Sequence, residues 1–522
     1  MTGVGSADSD KDSTIPRSTT EIIRDFGNYT TTHGVGRLAE AKTIFSRLIW
    51  TTFILGAFSM FIYQTRGLFQ LYLSRPVSTL VQVRCATEAF FPTVVVCNQN
   101  PVRKDKIPPD YFKSIKEEIR RLFGVQNEFP SLVSEESWED LSGASKDSEF
   151  VDAEREMEIE YLFEDMLIGK LSAENYTTLH DMGEQFNDFV FDCNFRGKDC
   201  RNYSKFWTRF WDYRYGNCYQ FNSGWSEDGG KRPILKTRNT GHLGGLKLNL
   251  YINSRQYVPQ ISHAGARVVI LDQRELPFPD EEGINAVPGT STVIGVRREV
   301  ITRADPFNNG SCKKPTTDEN GMPYSRESCM RSCLADAQIA ECGCAESQYA
   351  IKRRPICRKT YDNLTDECPE DIVSRFRGGR LGCQTKCPMP CREVLFKTAM
   401  SMVEWPAKGY KDILFKRLQK RPNEAYEDQL SEGTEFLHKN FLQIQVFYER
   451  LSYQEVEEKL SYKEVNLLAD IGGQLGLWIG ISVLTCCEFL ELLLLLGKNA
   501  MKRITKKENS VQALSPNEYN TH

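Results

Sequence analysis

The sequence predicts an α+β membrane protein in which two transmembrane helices flank a large, disulfide-rich domain. Leu48–Thr65 contains no charged residue, and Val465–Leu496 is apolar with only three acidic residues. Each segment is long enough to cross a bilayer, whose hydrocarbon core requires about 20 residues of helix. Fifteen of the 17 cysteines lie between the two segments. This distribution indicates that the intervening region faces an oxidising compartment.

Basic residues flank both apolar segments and predict their orientation. They are Arg37, Lys42 and Arg47 before the first segment, and Lys498, Lys502, Arg503, Lys506 and Lys507 after the second. Because such residues favour the cytoplasmic side, we expect a plasma-membrane protein with both termini in the cytoplasm. The predicted parts are a cytoplasmic N-terminus (1–43), a first span (44–66), an extracellular domain (67–464), a second span (465–497) and a cytoplasmic tail (498–522). The polar residues before 40 and after 500 predict mobile tails.

Composition and motifs exclude several classes of function. The formal net charge of −4 gives no indication of a nucleic-acid partner. The sequence contains no His-Glu-x-x-His, Gly-x-Ser-x-Gly or phosphate-binding loop, and its six histidines are scattered. We therefore expect no enzyme activity, no cofactor and no bound metal. A two-span adhesion protein or receptor, and an ATP-gated channel, remain alternatives on topology alone.

The predicted extracellular region mixes strands and helices. Residues 80–100 are rich in β-branched side chains, and Leu246–Ile252 alternates apolar with polar residues, as a half-buried strand does. Tyr111–Leu122 and Ala153–Ile168 have apolar residues three and four positions apart, which is typical of amphipathic helices. The polar segment Pro130–Ser148 is predicted to be a surface loop.

Ten cysteines are concentrated in residues 312–391. Cys329 and Cys333 are one helical turn apart, and so are Cys383 and Cys387. Two antiparallel helices in register would pair the first cysteine of each helix with the second of the other. A zinc cluster is the alternative for such spacings, but an oxidising compartment favours disulfides.

The second apolar segment carries the polar residues that indicate a function. Asp470, Glu488 and Glu491 are costly in lipid, so we expect them to face water or protein, where their charge favours cations. A position at the lipid headgroups is the alternative for Asp470. Gly480-Ile481-Ser482 lies in mid-segment, where a break would free backbone carbonyls for a dehydrated ion. Since one chain with two spans cannot enclose a pore, a conducting assembly must be an oligomer.

From His33 to Leu496 the chain resembles the degenerin, epithelial sodium channel and acid-sensing channel superfamily. The motifs that carry the resemblance are His33-Gly34, Phe91-Pro92 through Cys97-Asn98, Cys193 to Gly197 with Cys200, Gly216 to Gly224, the cysteine-rich block, Asp470-Ile-Gly472-Gly473-Gln474 and Gly480-Ile481-Ser482. The resemblance implies a sodium-selective, amiloride-blocked channel that is a homotrimer or a heterotrimer with related subunits. Each subunit is expected to have a palm, a ball, a finger (about 105–190), a knuckle and a cysteine-rich thumb (about 312–410).

The resemblance also assigns roles to individual residues. Gly480, Ile481 and Ser482 would form the selectivity filter. The pore and gate would include Ala469, Asp470, Gly472, Gly473, Glu488, Glu491, His33 and Gly34. The implied disulfides are Cys97–Cys218, Cys193–Cys200, Cys312–Cys391, Cys329–Cys387, Cys333–Cys383, Cys342–Cys368 and Cys344–Cys357. Cys85 has no partner in this scheme.

The stimulus that opens the channel is predicted from acidic and histidine residues that the chain lacks. Val258–Gly265 has no acidic insertion, Ser374 replaces a second acid near the cysteine block, and Leu73-Ser74-Arg75 has no histidine, so paired proton-sensing carboxylates are scarce. We expect gating by an FMRFamide-like neuropeptide, as in the invertebrate peptide-gated sodium channels, with proton gating as the alternative. Aromatic and acidic residues for such a peptide are Tyr161, Phe163, Asp181, Phe186, Asp188 and Phe189. Predicted glycosylation sites are Asn175, Asn202, Asn309 and Asn363.

Overall fold

The fold divides into two compact units in a computed structural model. One unit comprises residues 1–78 and 460–522, and the other comprises residues 79–459. The structure describes residues 18–123, 162–258, 261–305, 307, 310–314, 323–349, 355–357, 367–421 and 423–512. Tyr161, Asn309, Asn363 and the predicted loop Pro130–Ser148 lie outside these described residues.

The first unit is helical. Its helices are α1 (Thr19–Tyr29), α2 (Val35–Glu40), α3 (Ile44–Ser74), α14 (Glu464–Gln474) and α15 (Val483–Gln512), and a π-helical turn (Leu475–Ile479) follows α14. Helix α3 is apolar and long enough to cross a membrane by itself. The second apolar segment meets the same criterion only if its two bent halves are counted as one span.

The helix of the first apolar segment is longer than the predicted membrane span. Helix α3 continues to Ser74, whereas the span is predicted to end at residue 66. The segments predicted to be mobile tails contain helices at residues 19–29, 35–40 and 501–512, and their mobility stays a prediction. Helix α1 forms because its few apolar residues recur on one face, and Phe26 is buried there against the ring of Phe489, with the ring centroids 5.1 Å apart.

The second unit is built on two large sheets. The strands are β1 (Val77–Arg84), β2 (Ala89–Phe90), β3 (Thr93–Asn98), β4 (Val190–Phe195), β5 (Lys198–Asp199), β6 (Trp207–Asp212), β7 (Gly216–Phe221), β8 (Lys236–Thr237), β9 (Leu246–Tyr251), β10 (Ala266–Leu271), β11 (Ile284–Ala286), β12 (Thr290–Thr302), β13 (Cys312–Lys313), β14 (Met389–Pro390), β15 (Arg392–Glu404), β16 (Phe441–Tyr448) and β17 (Tyr453–Leu460). An eight-stranded sheet has the order β1-β17-β12-β16-β9-β4-β5, with β15 paired to β12, and a five-stranded sheet has the order β11-β10-β3-β7-β6.

Helices surround these sheets. They are α4 (Pro109–Phe123), α5 (162–171 in the described residues), α6 (Tyr176–Met182), α7 (Phe186–Phe189), α8 (Tyr203–Phe206), α9 (Arg326–Cys342), α10 (Glu367–Arg377), α11 (Cys383–Lys386), α12 (Lys408–Gln419) and α13 (Glu435–Asn440). The amphipathic pattern of Tyr111–Leu122 therefore corresponds to α4. The start of the helix predicted at Ala153 lies outside the described residues.

The main hydrophobic core contains residues from both sheets. Phe91, Trp207, Phe221 and Leu248 are each fully buried in it. The indole nitrogen of Trp207 donates to the carbonyl of Cys200 at 2.8 Å, so even the polar atom of this ring is satisfied. Strand β3 is buried along its whole length because it lies in the interior of the five-stranded sheet.

Seven disulfides join segments of the second unit, and they are the same seven pairs that the family resemblance implies. Cys97 and Cys218 lie directly opposite each other on β3 and β7, with their Cα atoms 4.4 Å apart. Cys329 and Cys333 on α9 pair with Cys387 and Cys383. The second helix of this pair, α11, is a single turn. Cys85, Cys486 and Cys487 are exposed free thiols.

We predict that Gly216→Ala destabilises the second unit. Gly216 has φ +66°, and a Cβ atom there would lie 1.8 Å from the carbonyl oxygen of Pro101. The matched control is Gly229→Ala, which has φ +80° and open space around the added Cβ. The left-handed conformation costs both variants about 1 kcal/mol. The clash should lower the free energy of unfolding of Gly216→Ala by about 1–3 kcal/mol more.

The thermal unfolding midpoint of the purified chain measures this difference. Equal midpoints for the two variants would show that the approach to Pro101 does not constrain residue 216.

Candidate pore segment

The second apolar segment breaks at Gly480-Ile481-Ser482. The two helical parts on either side of this break are bent by 71°. Gly480 has φ +73°, the left-handed conformation with which glycine commonly ends a helix. Beyond it, the hydroxyl of Ser482 accepts from the amide of Thr485 at 3.2 Å, and the hydroxyl of Thr485 accepts from the amide of Ser482 at 3.1 Å. The break therefore has two causes in the sequence: Gly480 ends the first helical part, and the reciprocal hydrogen bonds of Ser482 and Thr485 cap the start of the second.

Two backbone carbonyls at the break have no internal partner. In the part of the chain that the structure describes, the carbonyl oxygens of Gly480 and Ile481 accept no hydrogen bond. Unsatisfied carbonyls in an apolar segment are tolerated where they line a water-filled cavity or coordinate a cation. These oxygens are the feature that the sequence predicted for the filter.

His33 contacts the break from the N-terminal side. Its backbone amide donates to the carbonyl of Ile479 at 2.9 Å, which satisfies the last carbonyl of the π-helical turn. Its imidazole ring lies so close to Gly480 that a Cβ atom there would approach the ring carbons to 2.5 Å. Gly34 has φ +82° and begins α2. The structure thus brings the predicted His-Gly pair and the predicted filter together.

Glu488 is held by the residues that precede His33. Its carboxylate accepts from the hydroxyl of Thr30 at 3.0 Å and from the amide of Thr31 at 3.0 Å. The hydroxyls of Thr31 and Thr485 are 2.7 Å apart. Glu488 was predicted to be a pore acid, whereas here its charge is satisfied by the N-terminal segment. Glu491, one turn further, is exposed.

The two threonines that bind Glu488 are not among the residues that the sequence predicts for the pore. The signal was present, because Thr30-Thr31-Thr32 directly precedes His33. A second missed contact joins the two apolar segments: the indole nitrogen of Trp478 donates to the side-chain oxygen of Gln64 on α3 at 2.8 Å. This hydrogen bond joins one polar side chain of each apolar segment.

The remaining predicted gate residues lie on α14. Ala469, Gly472 and Gly473 are exposed. Since they are three and four positions apart, they share one helical face. Among the described residues, apart from each glycine's chain neighbours and the backbone of its own helix, no atom lies within 4 Å of a Cβ atom added at either glycine. Asp470 accepts from the hydroxyl of Tyr462 at 2.6 Å and is exposed.

The three phenylalanines that were predicted to bind a peptide are buried. Phe163, Phe186 and Phe189 are 3%, 7% and 0% exposed and lie in two hydrophobic clusters, so their rings stabilise the fold and present no surface to a ligand. Asp188 accepts from the side chain of Asn423 at 3.0 Å. Asp181 is exposed. The prediction is therefore wrong for these three phenylalanines, whereas Tyr161 lies outside the described residues.

Two predicted glycosylation sites fall within the described residues. Asn175 and Asn202 are both exposed. Each side-chain oxygen caps the helix that follows, by accepting from the amide of Thr178 at 2.9 Å and of Lys205 at 3.1 Å respectively. Because the cap uses the oxygen, the amide nitrogen to which a glycan attaches remains available. Glycosylation stays a prediction.

Comparison with known proteins agrees with the sequence motifs. The family described as amiloride-sensitive sodium channel matches residues 26–492. The chain therefore belongs to the amiloride-sensitive sodium channel family. This family includes the acid-sensing and epithelial sodium channels and the degenerins that the sequence resembles.

Three relatives show the extent of the likeness. The epithelial sodium channel subunit alpha of Xenopus laevis is 26% identical, over 91% of this chain and 81% of the relative. The acid-sensing ion channel 1C of Danio rerio is 27% identical, over 90% of this chain and 83% of the relative. Degenerin unc-8 of Caenorhabditis elegans is 31% identical over 60% of this chain, and the match spans only 40% of that longer protein.

We predict that Gly480→Ala destabilises the helical unit through its contact with His33. The added methyl group would require a left-handed alanine, which costs about 1–2 kcal/mol, and would also clash with the imidazole. Gly476→Ala is the matched control, because its added Cβ has open space within the same segment.

A double-mutant cycle with His33→Ala separates the two costs, with the thermal unfolding midpoint as the readout. His33→Ala should restore part of the stability lost in Gly480→Ala. Strictly additive midpoints would rule out the contact.

Proposed function

We propose that this chain is a subunit of a sodium-selective cation channel of the plasma membrane. The observation that carries the proposal is the break at Gly480-Ile481-Ser482, where two carbonyl oxygens have no partner within the described residues. Such oxygens replace the hydration shell of a cation. The bulky Ile481 between two small residues would narrow the passage.

The proposed channel is a trimer, either of this chain or with related subunits. Two spans cannot enclose a pore, so copies of the second apolar segment must surround an axis. The exposed face of Ala469, Gly472 and Gly473 is smooth enough for copies of α14 to approach closely. Amiloride, which the family description names, is the proposed pore blocker.

The proposed topology places both termini in the cytoplasm and the second unit outside the cell. The exposed basic residues Lys498, Lys502 and Arg503 after the second apolar segment favour this orientation. The seven disulfides of the second unit would then form in an oxidising compartment.

An extracellular FMRFamide-like neuropeptide is the first candidate stimulus. This proposal rests on the scarcity of acidic residues at the positions where acid-sensing relatives are expected to carry them. The buried phenylalanines do not form the peptide's binding site. Protons are the second candidate, and a different group of carboxylates favours them. Glu275 and Glu282 line one cavity, and burial raises the pKa of both.

Currents recorded from Xenopus oocytes that express the full chain test both proposals. We expect amiloride to block the evoked current, and we expect replacement of external sodium by N-methyl-D-glucamine to shift the reversal potential to more negative values. Two applications distinguish the stimuli. In one, FMRFamide and related peptides are applied at constant pH; in the other, the pH is stepped without peptide. A reversal potential that does not change when external sodium is replaced would contradict sodium selectivity.

A second expected outcome concerns the gate at Ala469. Because this residue is small and exposed on α14, a bulky adduct there should hold the channel open by separating copies of the helix. The test modifies Ala469→Cys with a large thiol reagent. Since Cys85, Cys486 and Cys487 are exposed and free, the background must replace all three with serine.

The matched control is that serine background with Ala469 retained. An unchanged open probability after modification of Ala469→Cys would show that residue 469 is not part of the gate.

A further inference from the structure

Two neighbouring cavities lie between helix α8, strands β4 and β5, and the segment that joins β7 to β8. The smaller cavity has a volume of ≈ 120 Å³, and the larger one has a volume of ≈ 620 Å³. Lys205, Phe206 and Leu235 line both cavities, so these three residues form a shared wall. No residue that was assigned above to the filter, the gate or the peptide site lines either cavity.

The smaller cavity has buried hydrogen-bond donors beside it that lack an acceptor. The indole Nε1 of Trp225, which lines the cavity, is buried and donates to no atom of the described residues. The Nε of Arg274 is buried and unpartnered in the same way. A Cβ atom added at Gly224, another lining residue, would lie 3.2 Å from Cγ of Arg274. The guanidinium of Arg274 lies 5.8 Å from the centre of the Trp225 ring, so both donors belong to one wall.

The acceptors nearest to these donors along the chain are already used. The side-chain oxygen of Asn222 accepts from the amide of Leu235 at 2.8 Å, and the hydroxyl of Ser223 accepts from the amide of Trp225 at 3.2 Å. No carboxylate lines the smaller cavity. Because a buried donor without an acceptor costs about 1–3 kcal/mol, two of them at one cavity favour a ligand that brings acceptor atoms.

Basic side chains give both cavities a positive charge. Arg232 lines the smaller cavity, Lys198 lines the larger one, and Lys205 lines both. Within the described residues, none of these three side chains forms an ion pair with a carboxylate. The charge of a bound ligand is therefore expected to be negative.

The acidic residues of the larger cavity do not balance this charge. Glu88 pairs with Lys236 at 2.6 Å and with Arg238 at 3.2 Å. The carboxylate of Asp199 accepts from the amide of Arg201 at 3.0 Å. Both acids are thus engaged by groups other than the unpaired basic side chains.

The larger cavity also has an apolar surface. Phe195 and Ile234 line it together with the shared Phe206 and Leu235. The ammonium nitrogen of Lys205 lies 5.1 Å from the centre of the Phe206 ring, so positive charge and an aromatic ring adjoin at the boundary between the cavities. Apolar walls with a few polar groups that fix orientation are typical of sites for small molecules.

We propose that the two cavities form one binding site for an amphipathic organic anion, of the class of aryl sulfonates and carboxylates. Its anionic head occupies the smaller cavity, where Trp225, Arg274 and Lys205 donate hydrogen bonds to it. Its apolar body lies along Phe206 and Leu235 in the larger cavity. The site lies wholly within the second unit, and its occupancy does not depend on the proposed channel activity.

Isothermal titration of the purified full chain with naphthalenesulfonate tests the site, after subtraction of a titration into detergent alone. Lys205→Gln removes the charge that both cavities share, so it should weaken binding about tenfold. Trp225→Phe keeps an aromatic ring but removes the indole donor, and it should weaken binding about fivefold. Naphthalenemethanol has the body without the charge, and inorganic sulfate has the charge without the body. Each should bind at least about tenfold more weakly than naphthalenesulfonate.

The matched control is Lys231→Gln, which removes an exposed lysine of the same segment that lines neither cavity and should leave the affinity unchanged. Absence of saturable binding would overturn the proposal. So would equal affinities of Lys205→Gln and Lys231→Gln, or binding of naphthalenemethanol or sulfate as tight as that of naphthalenesulfonate. If Trp225→Phe does not fold, Lys205→Gln decides alone, because Lys205 is exposed and its replacement leaves the core intact.

Discussion

The helical unit depends on how the backbone groups at the break in its second apolar segment are satisfied. In hydrocarbon each unpaired peptide group costs several kcal/mol, so a helix can be interrupted only where other groups replace its hydrogen bonds. The amide of His33 provides one replacement at Ile479. Ser482 and Thr485 provide the cap that starts the next helix. Among the described residues, the carbonyls of Gly480 and Ile481 accept no hydrogen bond at the break.

The N-terminal residues therefore supply hydrogen bonds that stabilise the break. Thr30 and Thr31 bind Glu488, which lies about two helical turns beyond Ser482. A carboxylate that accepts three hydrogen bonds is held in one orientation, and it fixes the segment from which His33 extends. Helix α1, although it is polar in composition, packs on α15 through the buried ring of Phe26 and the ring of Phe489.

The sequence predicted those features whose signal is local or periodic. Helix α4, strand β9 and the antiparallel pairing of Cys329 and Cys333 with Cys387 and Cys383 follow from spacings of a few residues. Phe186 and Phe189 show the limit, because an aromatic side chain has the same sequence pattern whether it fills a core or lines a pocket. Whether such a side chain is buried depends on the packing between the two sheets, and the strands of those sheets are far apart in the chain.

The cavity that Glu275 and Glu282 line, together with Glu327 and Glu393, could not be predicted for a related reason. Glu275, Glu327 and Glu393 are separated by more than 50 residues at each step, and each is an unremarkable acid in its own segment. Their effect arises from summed charge in a partly buried space, where the absence of a counter-ion beside Glu275 matters more than the number of acids. Glu299 and Glu393 have basic partners, whereas no ion pair forms at Glu275 or Glu282 within the described residues, and this difference arises only in the folded chain.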